Sequence, residues 1–216
     1  MSGALASPVP GAPLQVAILV FDQVEVLDFA GPYEVFTTAR RVHQRPSGEA
    51  PDGRGPLFTV RAVARTLAPV RARAGLQVLP DADFSTCTQA DVLIVPGGVV
   101  DAAQQCPETL AWIARLSATA LITASVCTGC FLLAASGVLH TERVTTHWED
   151  LDDLRRQFPL LEVCDSVRWV DLGRLLTSAG ISAGMDMSLH LVERLGGEAL
   201  ALRTARQMDY AWNKAA

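Results

Sequence analysis

No apolar run in this 216-residue sequence approaches the roughly 20 residues that cross a bilayer as a helix. A membrane-embedded protein is therefore not expected. Residues 1–13 contain neither Lys nor Arg and no continuous apolar core, so they do not read as a secretory signal. Their Ala, Pro and Gly suggest a flexible leader. Positive charge is not in excess: 18 basic against 23 acidic residues give a net charge of -5. That balance argues against a general nucleic-acid or membrane-surface binder. The cysteines do not form an even set. Cys87, Cys106, Cys127, Cys130 and Cys164 are irregularly spaced, unlike a secreted disulfide framework. Reduced thiols and a cytoplasmic location are the expectation. Neither G-x-x-x-x-G-K-[ST] nor G-x-G-x-x-G occurs, which counts against a phosphate-binding loop. No His/Cys/carboxylate group has metal-ligand spacing, so no metal site is expected.

What is present is a half-hydrophobic, globular composition with 19% charged residues. Its length suits one domain, read as residues 14–212, with a mobile polar insertion at 43–56 rich in Pro and Gly. Short apolar runs alternate with helical stretches. Strands are expected at 15–20, 57–63, 75–79, 91–95, 121–126, 167–170 and 174–177. Helices are expected near 28–41, 107–116, 127–136 and 148–157, with two more parted near Gly196-Gly197. Runs as continuous as Gln15–Val20 and Asp91–Val95 indicate strands buried on both faces. The alternation predicts an α/β fold with a largely parallel sheet between helices. Sites in such sheets gather at the carboxyl ends of strands. Two strands end abruptly, at Pro96-Gly97-Gly98 and at Val126-Cys127.

A residue where a buried strand breaks into a helix is lifted above the sheet, as in a nucleophile elbow, and Gly129 is a small neighbour of the kind such turns need. The helix N-terminus favours a thiolate, the form that attacks carbon. Cys127 is thus a candidate nucleophile, although a buried structural cysteine would fit the same pattern. Cys127-Thr128-Gly129-Cys130 also has the C-x-x-C form of thiol–disulfide oxidoreductases. The apolar Phe131-Leu132-Leu133 that follows favours Cys130 as a core residue beneath the nucleophile. Gly97 and Gly98 could aim backbone N–H groups at Cys127 as an oxyanion site. For an acid partner the spacing leaves Asp28, Glu25 and Glu34 open, Asp28 equally fitting a helix N-cap. His147 could pair with the thiol or simply cap a helix.

Five segments taken in order resemble the ThiJ/PfpI superfamily. They are Leu27-Asp28-Phe29-Ala30-Gly31-Pro32, Val95-Pro96-Gly97-Gly98, Ser125-Val126-Cys127-Thr128-Gly129, Thr145-Thr146-His147-Trp148 and Ser178 through Asp186. The sequence looks most like isocyanide hydratases and the amidotransferase-like domains of AraC-type regulators. The resemblance implies a flavodoxin-like three-layer sandwich with helices on both faces of the sheet. It implies Cys127 as nucleophile, Asp28 as its acid, Gly98 and Thr128 lining the pocket, a homodimer and no cofactor. Thr128 stands where the peptidase branch typically has His, and Cys130 where a Ser or Ala is more usual. Room for a following helix-turn-helix is not expected after the last helix. The implied activity is hydration of a small isocyanide to an N-substituted formamide through a thioimidate on Cys127. A ligand- or redox-sensing domain without turnover, glyoxalase- or deglycase-like chemistry and amidase chemistry are the alternatives.

Overall fold

The computed structural model describes residues 12–45 and 55–215. Most of the expected leader and of the 43–56 insertion therefore lies outside the described residues.

The chain begins with β1 (Leu14–Leu19), whose last four residues are buried. It turns at once into α1 (Val26–His43). Sequence reading placed this helix near Asp28, with Pro32 close to its start. It begins earlier, because Glu25 serves as the N-cap and accepts the Val26 N–H through its own carboxylate at 3.1 Å. Asp28 is consequently in the first turn rather than at the cap. Pro32 sits inside the helix, where it withholds the N–H that the Asp28 carbonyl would otherwise accept.

The strand β2 (Phe58–Ala64) pairs in parallel with β1. A small antiparallel hairpin follows, β3 (Val70–Arg71) and β4 (Gln77–Val78). The expected strand at 75–79 is thus one arm of a hairpin outside the main sheet, and its partner was not foreseen. The chain continues through β5 (Ala82–Asp83) and β6 (Val92–Val95) to the short α2 (Asp101–Gln104). Then come α3 (Pro107–Thr119), with proline in its permissive first turn, and β7 (Ile122–Val126). The helix α4 (Gly129–Ala135) follows. After it come β8 (Arg143–Val144), α5 (Leu151–Gln157) and β9 (Glu162–Val163). The last elements are β10 (Trp169–Asp171), β11 (Leu175–Ser178), α6 (Ala183–Gly196) and α7 (Glu198–Gln207).

The main sheet has seven strands in the order β10-β11-β7-β6-β1-β2-β5. Only β10 runs antiparallel to its neighbour. One core cluster lies between the sheet and α1, α6 and α7; it contains Val16, Ile18, Phe36, Ile94, Leu189 and Leu200. The opposite face buries Ala17, Leu19, Leu93, Trp112 of α3 and Leu132 of α4. The alternation of β1 explains both: Val16 and Ile18 point one way, Ala17 and Leu19 the other. The three-layer, flavodoxin-like α/β architecture expected from the resemblance is what the chain adopts. From β1 the strands spread outward in both directions, so β1 and β6 flank the switch point where a crevice opens at the carboxyl ends.

Candidate active site

Three neighbouring strands, β1, β6 and β7, deliver the site's parts to that crevice. Cys127 follows the last residue of β7 and has φ +57°, a left-handed conformation that a side chain adopts at a cost of roughly 1–2 kcal/mol. Its neighbours hold it there. The Cys127 N–H donates to the Ser178 carbonyl at 3.1 Å, and its own carbonyl accepts the Thr146 hydroxyl at 2.8 Å. The turn is tight enough to demand glycine two residues on: a Cβ on Gly129 would collide with the Val95 carbonyl oxygen.

Asp28 approaches from α1 and is completely buried. Its Oδ2 accepts the Gly97 N–H at 3.2 Å. Its Oδ1 has no hydrogen-bond partner among the described residues. The carboxyl faces the Cys127 thiol closely enough for each to alter the other's ionisation. Burial pushes Asp28 up to about 7, against the opposing pull of the Gly97 N–H and the thiol. The Cys127 thiol is pushed up to about 12 by its own burial and by the Asp28 charge, with the Thr128 N–H pulling the other way. The helix N-terminus contributes one backbone N–H, from Thr128, toward the thiolate expected there, while burial and the facing carboxyl act against it. Two like charges in a buried space are costly, so the pair titrates as one unit: above about 7 it keeps one proton, on the sulfur, and below that Asp28 takes up a second.

The glycine turn is built differently from the expected oxyanion site. The Gly97 N–H is given to Asp28, and the Gly98 N–H to Thr128 Oγ1 at 2.9 Å. The Thr128 hydroxyl in turn donates to the Gly98 carbonyl at 2.9 Å. Neither glycine N–H is left for an incoming atom; together they fix Asp28 and Thr128. A Cβ on Gly97 would strike Thr128, so glycine here permits the close approach of the two loops.

His147 is not brought to the thiol. Its Nδ1 accepts the Glu149 N–H at 3.4 Å and lies 3.5 Å from Asp150 Oδ2, while its ring packs against Gly180. It caps a 3-10 turn at Trp148–Asp150. Glu34 faces outward, bound to Thr38 and Arg41. Cys130 is fully buried in the core on the α3/α4 face, next to Ser125, whereas Cys127 belongs to the α1/α6 side. The C-x-x-C therefore does not place two facing sulfurs. All five cysteines are free thiols. Sequence reasoning missed Thr146 and Ser178 as supports of the Cys127 turn, although both lie in segments it singled out. A cleft of about 460 Å³ is lined by His147, Trp148, Arg168, Gly180, Ile181 and Ala183; neither Cys127 nor Asp28 is among its lining residues.

Among the described residues no group of His, Cys, Asp and Glu is placed to hold a metal ion, and no helix is long and apolar enough to cross a membrane.

Comparison with known proteins gives the family and supports the fold. The model of the DJ-1/PfpI family matches residues 14–194. An isonitrile hydratase of Pseudomonas putida is 36% identical over 199 residues, covering 92% of this chain and 79% of that protein. The transcriptional regulator CdhR of Pseudomonas aeruginosa is 26% identical over 88% of this chain, which spans only 53% of the regulator. A crystal structure of a THiJ/PfpI family protein from Pseudomonas syringae superposes with a TM-score of 0.79 at 30% identity, covering 97% of this chain and 83% of that one. Drosophila melanogaster DJ-1beta shares the fold, with a TM-score of 0.76 at 18% identity over 93% of this chain and all of its own.

Proposed function

The chain belongs to the DJ-1/PfpI family, and on that premise we propose that it is a cysteine-dependent hydratase of small organic isocyanides. The observation that carries the reading is the buried Asp28 carboxyl, with one oxygen unpartnered, set against the Cys127 thiol. A buried polar atom without a partner is costly and uncommon in structure alone. Here it is the group with spare capacity to take and return a proton. The similarity to an isonitrile hydratase supports the same substrate class.

The reaction needs one proton, shared by nucleophile and acid, and the pair holds one. As the Cys127 sulfur attacks the terminal isocyanide carbon, its proton passes to Asp28. The carbon, left with an electron pair, takes that proton from Asp28, giving a thioimidate R–N=CH–S–Cys127. Asp28, again a carboxylate, takes a proton from water as the water oxygen attacks the same carbon. The C–S bond breaks, the sulfur recovers the proton, and the tautomerised product leaves as the formamide R–NH–CHO. No oxidant or reductant is involved. The left-handed turn and the Thr128 N–H hold the sulfur in place throughout.

Incubating the purified protein with an aryl isocyanide and following formamide formation tests the reading. Turnover by the wild type and its loss in Cys127→Ala are expected. Absence of turnover, or unchanged turnover in Cys127→Ala, would sink it.

A further inference from the structure

The β3–β4 hairpin lies outside the main sheet, yet it is tied to the loop that leads from β1 into α1. The Gln23 N–H donates to the Arg71 carbonyl at 2.7 Å, and the Arg71 N–H to Asp22 Oδ1 at 2.7 Å. The Arg73 N–H donates to the Val24 carbonyl at 3.0 Å, and the Arg73 guanidinium meets Glu25 Oε2 at 3.1 Å. Glu25 is held at two further points. Its N–H donates to the Gly97 carbonyl at 2.9 Å, and its Oε1 caps Val26. Gly97 is the residue whose N–H binds Asp28. Arg73, Glu25, Gly97 and Asp28 thus form one bonded series from the hairpin to the reactive pair.

The Arg73 side chain is 55% exposed and that of Glu25 21%, so their ion pair adds little stability by itself. Its position is the point of interest. Three charged or titratable groups act on Asp28: Glu25 from the preceding loop, Arg73 from the hairpin and Cys127 from the β7–α4 turn, with the Gly97 N–H as a fixed dipole from the β6 loop. The Asp150 charge also raises the Cys127 thiol. Arg73 is the one cation in this set. Glu25 makes the Asp28 carboxylate less favourable and Arg73 makes it more so.

We propose that Arg73 and Glu25 are positioning residues for Asp28, fixing the start of α1 against Gly97 and setting, by their opposite charges, the pH at which Asp28 yields its proton. This rests on Asp28 as the acid partner of Cys127, but its test requires no substrate and so stands apart from isocyanide turnover.

The experiment is a carbon-13 NMR titration of the Asp28 carboxyl in labelled protein, the signal being assigned by its disappearance in Asp28→Asn. The wild type is expected to titrate near 7. Arg73→Gln should move the midpoint up and Glu25→Gln should move it down, each by about half a unit at the moderate effective dielectric of a partly exposed site. Arg73→Lys, which keeps the charge, should stay near the wild type. Opposite shifts are the signature sought, because both glutamine variants break the same ion pair and a purely structural role would move them alike. Midpoints that shift in one common direction, or not at all, overturn the proposal. The comparison of Arg73→Gln with Arg73→Lys repeats the test on a half-exposed side chain whose loss does not endanger folding.

Discussion

At the scale of the residue, the site turns on how one proton is divided between Cys127 and Asp28. The proposed chemistry needs the carboxylate as proton acceptor, so it should switch on as Asp28 ionises. Activity, measured as kcat/KM on an isocyanide, is expected to rise with pH through about 7. Asp28→Asn should lower it by roughly 100-fold or more and abolish that inflection, as expected when a general base is lost. The same shift has a consequence for stability. Asp28 is raised in the fold from 3.8 to about 7, so between these values the folded chain binds more protons than the unfolded chain. Its contribution is present below about 4 and is lost as pH rises toward 7. Asp28→Asn should therefore gain stability over the wild type at pH 8 compared with pH 4, by on the order of 2–4 kcal/mol. Urea titrations of both proteins at the two pH values read the difference, and other carboxylates cancel in it. A wild type that gains relative to the variant as pH rises would show that Asp28 is not buried as a neutral acid. For Cys130 the expectation is negative. Because it lies in the other core cluster, a thiol oxidant should not produce the two-hydrogen loss of a Cys127–Cys130 disulfide, as intact mass and peptide mapping would show.

At the scale of the element, the strand ends do the positioning. The abrupt ends of β6 and β7 were legible because a buried apolar run stopping at Pro-Gly-Gly or at a cysteine is a strong local signal. The βα order gave the parallel sheet for the same reason. The two-residue strands β3, β5, β8 and β9 were not legible, since so short a run carries no period. Neither was the choice of acid. Glu25, Asp28 and Glu34 lie within ten positions, and only the way α1 docks on the β6 loop sends Asp28 inward while Glu25 caps and Glu34 meets solvent. The N–H groups of Gly97 and Gly98 were misassigned on similar grounds, because their partners Asp28 and Thr128 are far away in sequence. Thr128 is where this loop system is most exposed to a single change. Thr128→Val keeps the shape but removes the hydroxyl that bonds both the N–H and the carbonyl of Gly98. Leaving those groups without that partner should cost about 1–3 kcal/mol, read as a lower urea midpoint at constant slope. Thr128→Ser, which retains the hydroxyl, should recover most of the loss.

At the scale of the whole molecule, the last part of the chain returns to brace the start of α6. Asp186, in the first turn of α6, is fully buried and ion-paired to Arg168, which precedes β10. The C-terminal segment closes over it. The Asn213 N–H donates to Asp186 Oδ1 at 2.9 Å, and the Trp212 indole N–H to the Asp186 carbonyl at 3.1 Å. The same α6 start, with Arg168, walls the cleft that His147 and Trp148 also line, and the carbonyl of Ser178, the last residue of β11, accepts the Cys127 N–H. The bond between β10 and α6 thus links the edge of the sheet, the C-terminal segment and the turn that carries the sulfur. Asp186 is buried while Arg168 is a third exposed, so removing Arg168 leaves a buried charge short of its cation, a loss of up to about 3–5 kcal/mol. For a chain of this size that is a fall in Tm of roughly 6–20 °C in Arg168→Leu. The double variant Arg168→Leu/Asp186→Leu strands no charge and should regain part of that fall. If the single and double variants melt alike, the pair is not the brace; if the single variant melts with the wild type, Asp186 is held by the Asn213 N–H and its remaining neighbours without Arg168.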